Sequence, residues 1–361
     1  MTRVAVRIFH LDPSDGSGPL ERTLASARRA LAESHMVAFR AVGADDVELV
    51  AGRPDDTPFG RRIRDLVAAE RPGGLVILGS GALPLATGAD LRAFVAVAGG
   101  PGRVALTNNR YSADATAVSC AESLLELPDL PGDNAIPRWL EEVAGYEVRD
   151  LGRRWRLAVD LDSPLDLLLT DRGTALPGPA AERVAAVQEV AADRRAELVL
   201  AGRTSATTLR WLERHVPARV RAIVEERGLR ASSRLALDER PGLAPSRPPR
   251  PPRSVLGLLL DRDGPSALGS ILAQLGDAAI VDSRVLLAHR LGPDERSWPA
   301  AEDRFASDLL LPDQVRDPWL RRLTEAAASA PIPVLLGGHS LVGPGTRLVF
   351  RRTRSRAGAT R

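Results

Sequence analysis

Leu75-Val-Ile-Leu-Gly-Ser-Gly-Ala-Leu-Pro-Leu85 is a short apolar run that exits through glycine and serine. Its length and small-residue boundary read as a strand buried on both faces over residues 75–78, with a polar exit. Upstream, Val4–Leu11 alternates into a first strand, and Asp12-Pro-Ser-Asp-Gly-Ser-Gly18 carries the residues of a loop. Leu20, Leu24, Ala27, Ala30 and Leu31 recur at helical spacing, so residues 20–33 read as a helix. Residues 47–51 suit a second strand, and residues 59–70 and 88–97 suit helices. Downstream, Asn108-Asn-Arg-Tyr-Ser-Ala-Asp114 lies between short strands at 104–106 and 115–118. Residues 134–143 read as a helix with Asp133 as its cap. Strands at 146–150 and 157–160 lead into Val159-Asp-Leu-Asp-Ser-Pro-Leu-Asp-Leu-Leu-Leu169, where Pro164 suits the first turn of a helix. Strands alternating with helices predict an open α/β sheet sandwiched by helices. Ligands of such sheets bind at the carboxyl ends of strands, where the three quoted segments place their polar residues.

A second α/β pattern starts near Pro179. Helices are expected at 180–196, 205–215, 266–275 and 318–328, and strands at 198–201, 220–224, 255–260, 279–285 and 334–336. Arg247-Pro-Pro-Arg-Pro-Pro-Arg253 favours extended polyproline geometry, so residues 239–253 read as an exposed Pro/Arg-rich loop. Residues 351–361 read as a disordered basic tail. The organisation expected is a first α/β domain over residues 1–172 and a second, smaller α/β domain over 173–350.

Composition narrows the function classes. The chain has 361 residues, 44% hydrophobic and 26% charged, in the ordinary range for a globular protein. All 49 basic residues are arginine, balanced by 46 acids, for a net charge of +3. Arginine stays protonated, which raises the isoelectric point without making a cationic surface. Basic residues interspersed with acids argue against a nucleic-acid footprint. No apolar run approaches the ~20 residues that span a bilayer, and the N-terminus reads as a strand and not a leader. A single cysteine, Cys120, leaves no intrachain disulfide or cysteine zinc cluster. The five histidines lack metal-ligand spacing. A cytoplasmic location is the default expectation.

Asp160 and Asp162 stand at i and i+2 at a strand end and share a face. Mg²⁺ takes one or two carboxylates together with substrate phosphates. The plain alternative is that Asp162 caps the following helix. Asn108, Asn109, Arg110, Tyr111 and Ser112 form a polar cluster that suits either a turn or a ligand contact. Gly338-His-Ser-Leu-Val342 lacks the second glycine of a nucleophile elbow, and residues 343–350 read as entering a strand. Arg284 and Asp308 suit an ion pair that ties the second domain together. The rival is a polar site there that includes Arg284, His289 and His339. Ala201-Gly-Arg-Thr-Ser205 suits a helix cap or an anion contact.

The run from Gly132-Asp-Asn-Ala-Ile-Pro-Arg-Trp-Leu to Asp160-Leu-Asp-Ser-Pro-Leu-Asp-Leu resembles the end of a nucleotidyltransferase domain. It is similar to the 2-phospholactate or phosphoenolpyruvate guanylyltransferases and, more distantly, to the molybdenum cofactor guanylyltransferases. Those families carry Asp-x-Asp-Thr-Pro-Glu-Asp-Leu, with Ser163 and Leu165 here in place of Thr and Glu. Leu78-Gly-Ser-Gly-Ala-Leu-Pro-Leu-Ala-Thr-Gly-Ala-Asp-Leu91 resembles their Gly-Asp-x-Pro-Leu-Leu-Thr-x-x-Asp-Leu. The resemblance covers about residues 1–170 and implies a Rossmann-like, GT-A-like sheet. It departs at two points. Gly81 or Ala82 stands for a metal-binding Asp, and the loop after the first strand lacks a basic residue before Arg22.

The resemblance implies transfer of a nucleotidyl group from an NTP to a small phosphorylated or carboxylated acceptor. Asp160 and Asp162 would be catalytic and hold Mg²⁺, with Asp114 replacing the missing carboxylate. Gly16, Gly18, Ser80, Gly81, Asn108, Asn109, Ser112, Asp133 and Asn134 would contact nucleotide or substrate. The departures support the alternative of a catalytically inactive binding or regulatory protein. A homodimer is compatible with either.

Overall fold

Alternation along the first strand sets the layers. The computed structural model describes residues 2–172, 176–225 and 252–351. In strand β1 (Val4–Leu11), Val4, Val6 and Ile8 join a core with Phe39 of helix α1 (Pro19–Ala41) and Phe94 of helix α3 (Gly88–Ala98). Ala5 faces the other way, into a core with Ile63 and Val67 of helix α2 (Phe59–Glu70) and Leu140 of helix α4 (Ile136–Glu142). A period of two thus places helices on both faces of one sheet. Arg7 lies on the α2 side of β1, almost wholly buried. It is neutralised by Asp46 at 2.7 Å and by the Glu70 carboxylate.

The chain divides into two units, Met1–Asp162 and Ser163–Arg361. The first holds a sheet of order β2-β1-β3-β5-β4-β6. Its remaining strands are β2 (Asp46–Gly52), β3 (Gly74–Gly79), β4 (Val104–Thr107), β5 (Ala115–Ser119) and β6 (Glu147–Asp150). β5 runs antiparallel to β3 and β4, and the other pairs are parallel. Close backbone approach explains two glycines. A Cβ on Gly74 would lie 2.0 Å from the Ala98 carbonyl, and one on Gly60 would lie 2.0 Å from that of Pro128.

The second unit begins ten residues before the domain limit expected after residue 172. Helix α5 (Pro164–Leu169) packs within it against the helix Ala301–Asp308. Its sheet is smaller and wholly parallel, in the order β10-β9-β7-β8. These strands are β7 (Glu197–Gly202), β8 (Arg219–Val224), β9 (Ala278–Asp282) and β10 (Val334–Gly337). The open α/β class expected for both halves is therefore present.

Four local expectations are corrected. Residues 255–260, expected as a strand, open the helix Val255–Asp263, whose Gly257 N–H donates to the Ser254 hydroxyl. The strand expected over 279–285 stops at Asp282, because the Asp282 carboxylate accepts from the Arg284 N–H and starts the helix Ser283–Leu291. Residues 343–350 contain a short helix, Thr346–Val349, and not a strand. The strand expected at 157–160 is a 3-10 turn, Trp155–Ala158, followed by an isolated bridge between Ala82 and Asp160. Residues 239–251 of the Pro/Arg-rich loop and 352–361 of the tail lie outside the described residues. Among the described residues no helix is long and apolar enough to cross a membrane.

Candidate functional site

In the first sheet β1 has β2 on one side and β3 on the other, with α1 and α2 on opposite faces. A crevice outside the carboxyl ends of β1 and β3 is the ligand position of such a sheet. Because β5 is antiparallel, its first residue, Ala115, pairs with Leu78 near the end of β3. Asp114 therefore stands at the same edge. Asp133 opens a 3-10 turn, Asp133–Ala135. The Leu161 N–H donates to the Gly81 carbonyl at 3.0 Å, which brings Asp160 and Asp162 to the exit of β3.

Three of these acids share one electrostatic field. Burial pushes the Asp114 carboxyl up to about 7; the charges of Asp133 and Asp162 add to this, against a hydrogen bond from Asn108. Burial likewise raises Asp133 to about 6, with Asp162 adding to the effect, although the backbone N–H groups of Asp133 and Asn134 stabilise its charged form. Asp162 itself is two-thirds exposed. Like charges in a partly desolvated place favour either a proton or a cation. Carboxylate oxygens are hard donors suited to Mg²⁺. Among the described residues no three His, Cys, Asp or Glu side chains converge tightly enough to hold a metal alone. A divalent ion at this edge would need phosphate oxygens and water to complete its shell.

The other expected residues divide by how far the fold already uses them. Asn108 is fully buried, and its amide locks its own loop. Its Nδ2 donates to the Asp114 carboxylate (2.8 Å) and the Leu157 carbonyl (2.9 Å), while its Oδ1 accepts from the N–H groups of Asp114 and Ala115. It positions Asp114. The Asn109 Oδ1 accepts from the Tyr111 N–H in a tight turn. Ser112 and Asn134 are exposed. A Cβ on Gly16 would meet nothing within 4 Å, and Gly18 is the N-cap of α1 without a side-chain cap. Asp162 does not cap α5. Ser163 is the N-cap, in a reciprocal box with Asp166.

His10, Arg28 and Arg29 at this edge escaped the sequence reading, whereas Ser80 was expected there. His10 and Ser80 are both buried, with the His10 Nδ1 3.0 Å from the Ser80 Oγ. Burial lowers the His10 pKa; Arg29 and Arg28 lower it further, and Asp12 opposes them. The imidazole is therefore neutral at pH 7. Arg29 pairs with Asp12 at 2.9 Å. Arg28 donates from Nε to the Leu161 carbonyl at 2.6 Å and stands 3.4 Å from Asp162. The Gly81 Cα–H points at that guanidinium, since a Cβ there would be 3.0 Å from Arg28 Nε. Their separation in sequence, 133 residues for Arg28 and Leu161, hides this cluster from motif reading.

Asp90, in the quoted Thr-x-x-Asp-Leu, has a structural role. It forms a capping box with Thr87 at the start of α3 and is paired with Arg154 and Arg156. Burial opposes its charge, but Thr87, Arg156 and Arg154 hold the carboxyl well below the usual range.

In the second unit, Arg284 meets Asp308 through two hydrogen bonds of 2.7 and 2.6 Å in a buried pair, as the ion-pair expectation had it. His339 is exposed, with Nδ1 2.9 Å from the Arg203 carbonyl. His289 Nε2 lies 2.9 Å from Asp261. At the Gly202–Ser205 turn, Ser205 caps the helix Ala206–His215.

No family model and no curated protein matches the chain. Among solved structures, a candidate nucleotide-diphospho-sugar transferase of Desulfovibrio desulfuricans G20 aligns at 12% identity and a TM-score of 0.32, over 42% of this chain and 80% of that one. A nucleotidyl transferase of Methanothermobacter thermautotrophicus aligns at 15% identity and 0.32, over 46% and 94%. A protein of Mycobacterium tuberculosis H37Rv aligns at 18% identity and 0.26, over 42% and 87%. Scores this low carry no functional inference.

Proposed function

We propose that the first unit binds a nucleoside triphosphate and transfers its nucleotidyl group to a small phosphorylated or carboxylated acceptor. The observation that supports this most is the gathering of Asp114, Asp133 and Asp162 at the carboxyl edge of an open α/β sheet, where burial first and neighbouring acids second disfavour charge on Asp114 and Asp133. The motif resemblance over residues 1–170 points the same way. In this reading Asp162 and Asp114 hold Mg²⁺, with Asp160 beside them on the bridge to Ala82. When bound, Mg²⁺ supplies charge neutralisation at the phosphates. The backbone around Gly16 and Gly18, at the N-terminus of α1, cradles phosphate oxygens. Asn109, Ser112 and Asn134 meet the base or the acceptor, and Asn108 holds Asp114 in place.

An acceptor oxygen attacks the α-phosphorus, the bond to the β-phosphate oxygen breaks, and pyrophosphate leaves. A phosphate or carboxylate acceptor is already ionised at neutral pH, so the step needs no general base. That suits an edge whose imidazoles among the described residues, His10 and His35, are both buried and engaged, with the Ser80 hydroxyl and the Ala82 carbonyl. Incubation with each NTP, Mg²⁺ and a panel of phosphorylated and carboxylated acceptors tests the reading. Pyrophosphate release with at least one combination is expected, and none with any would count against transfer.

One observation favours a second reading, a catalytically inactive nucleotide-binding or regulatory unit. Arg28 stands over Gly81 beside Asp162, so a fixed cation already shares the acid field. Nucleotide-induced thermal shifts separate the two. A Mg²⁺-dependent shift supports transfer, and a metal-independent shift supports the binder.

A further inference from the structure

We propose that Arg28 is the phosphate-docking cation of the first unit, reaching the crevice from within α1 through the opening left by Gly81. This rests on the nucleotide-binding reading above. The loop between β1 and α1 has no basic residue of its own, and the arginines that reach it are already engaged there, Arg22 on the Ser17 carbonyl and Arg53 beside Asp15. Arg28 lies roughly three turns into α1. Its positive charge and that of Arg29 both act on His10 at the end of β1. Its Nε is anchored at 2.6 Å on the Leu161 carbonyl, beside the exit of β3. The guanidinium is therefore fixed at the mouths of both strands that bound the crevice.

The far end of the fork distinguishes Arg28 from the structural arginines of the chain. Arg7, Arg29, Arg156 and Arg284 close on their carboxylates at 2.7, 2.9, 2.8 and 2.6 Å. Those are lengths of saturated charge-assisted bonds. Arg28, about as exposed as Arg156, stands off from Asp162 at 3.4 Å. Of five guanidinium N–H groups, the described residues take Nε and one of Nη2. The remaining donors suit a two-oxygen grip on phosphate. Gly81 makes this possible. A Cβ there would lie 3.0 Å from Arg28 Nε and 3.1 Å from the Leu161 carbonyl, pressing on both the arginine and its anchor. Asp162 beside the guanidinium would help to hold Mg²⁺, which would share with Arg28 the neutralisation of a bound polyphosphate.

Calorimetric titration of the full chain with inorganic pyrophosphate and Mg²⁺ tests this. Arg28→Ala should weaken binding by at least about tenfold. Arg28→Lys should fall between it and the wild type, because it keeps the charge and loses the fork. Gly81→Ala should also weaken binding. Arg149→Ala, which removes an exposed arginine paired with Glu147, should bind as the wild type does. Pyrophosphate affinity within twofold of wild type in Arg28→Ala overturns this assignment and leaves the nucleotide reading standing. A wild-type chain that binds neither pyrophosphate nor any NTP overturns both. Should Arg28→Ala fail to unfold cooperatively, Arg28→Lys decides: an unchanged affinity overturns the assignment and a weakened one supports it.

Discussion

Asp114→Asn should make the first unit more stable at pH 8 and leave it unchanged at pH 4. The Asp114 carboxyl rises from its ordinary 3.8 to about 7, through burial and through Asp133 and Asp162. Between those values the folded chain holds a proton that the unfolded chain has released. Stability of the wild type therefore falls as pH rises from about 4 to about 7, and the full cost is present above 7. Each pH unit of that interval is worth about 1.4 kcal/mol, so the whole interval corresponds to about 4 kcal/mol. Asp114 is half-buried, and screening by water brings the expected gain to about 2 kcal/mol. The asparagine keeps its acceptor toward Asn108 Nδ2, now 2.8 Å from the carboxylate. For a unit of this size the gain is a rise of about 4–8 °C in the first unit's calorimetric transition. Equal transitions at pH 8, or a less stable variant there, would refute the claim that burial and the neighbouring acids disfavour charge on Asp114. Mg²⁺ should raise the wild-type transition at pH 8 and do so less in the variant, since the cation relieves what the substitution has removed.

Other substitutions probe the frame around this edge. Asp90→Ala should cost about 1–3 kcal/mol, because it removes a helix cap and takes the partner from two partly exposed arginines. The depressed Asp90 pKa means that this difference is full above pH 4 and fades only as pH falls through the lower folded value, which acid titration of both chains reads. Asn108→Ala should cost about 3 kcal/mol by orphaning two N–H groups and the Leu157 carbonyl, measured by urea unfolding. Arg284→Met should cost about 3–5 kcal/mol by leaving Asp308 buried and unpaired. The double substitution with Asp308→Leu should recover most of that loss, and a double variant as unstable as the single would contradict it.

The sheet was legible where apolar periodicity and turn residues agree. Residues 75–78 are apolar, bounded by glycine, and became β3; Val4–Leu11 alternates and became β1. The run 255–260 misleads because six apolar or small residues suit a buried strand as well as a helix. The Ser254 cap decided it, and that cap is written in the sequence as Ser-Val-Leu-Gly. Asp114, Asp133 and Asp162 were readable as polar residues at strand and loop ends. What joins them was not. The antiparallel direction of β5 brings Asp114 to the edge, and no local pattern announces strand direction. Arg28 and His10 were invisible for a related reason. A mid-helix arginine reads as a solvated face, and a strand histidine reads as core, until the 160–161 segment is laid beside Gly81.

Binding of nucleotide is the claim on which the rest depends. Calorimetric titration of the full chain with ATP, GTP, CTP and UTP in turn, with and without Mg²⁺, measures it directly. At least one should bind only with Mg²⁺, and that binding should be lost in the Asp114→Asn, Asp162→Asn double variant. No binding by any of the four, or binding that the double variant retains in full, would contradict the account.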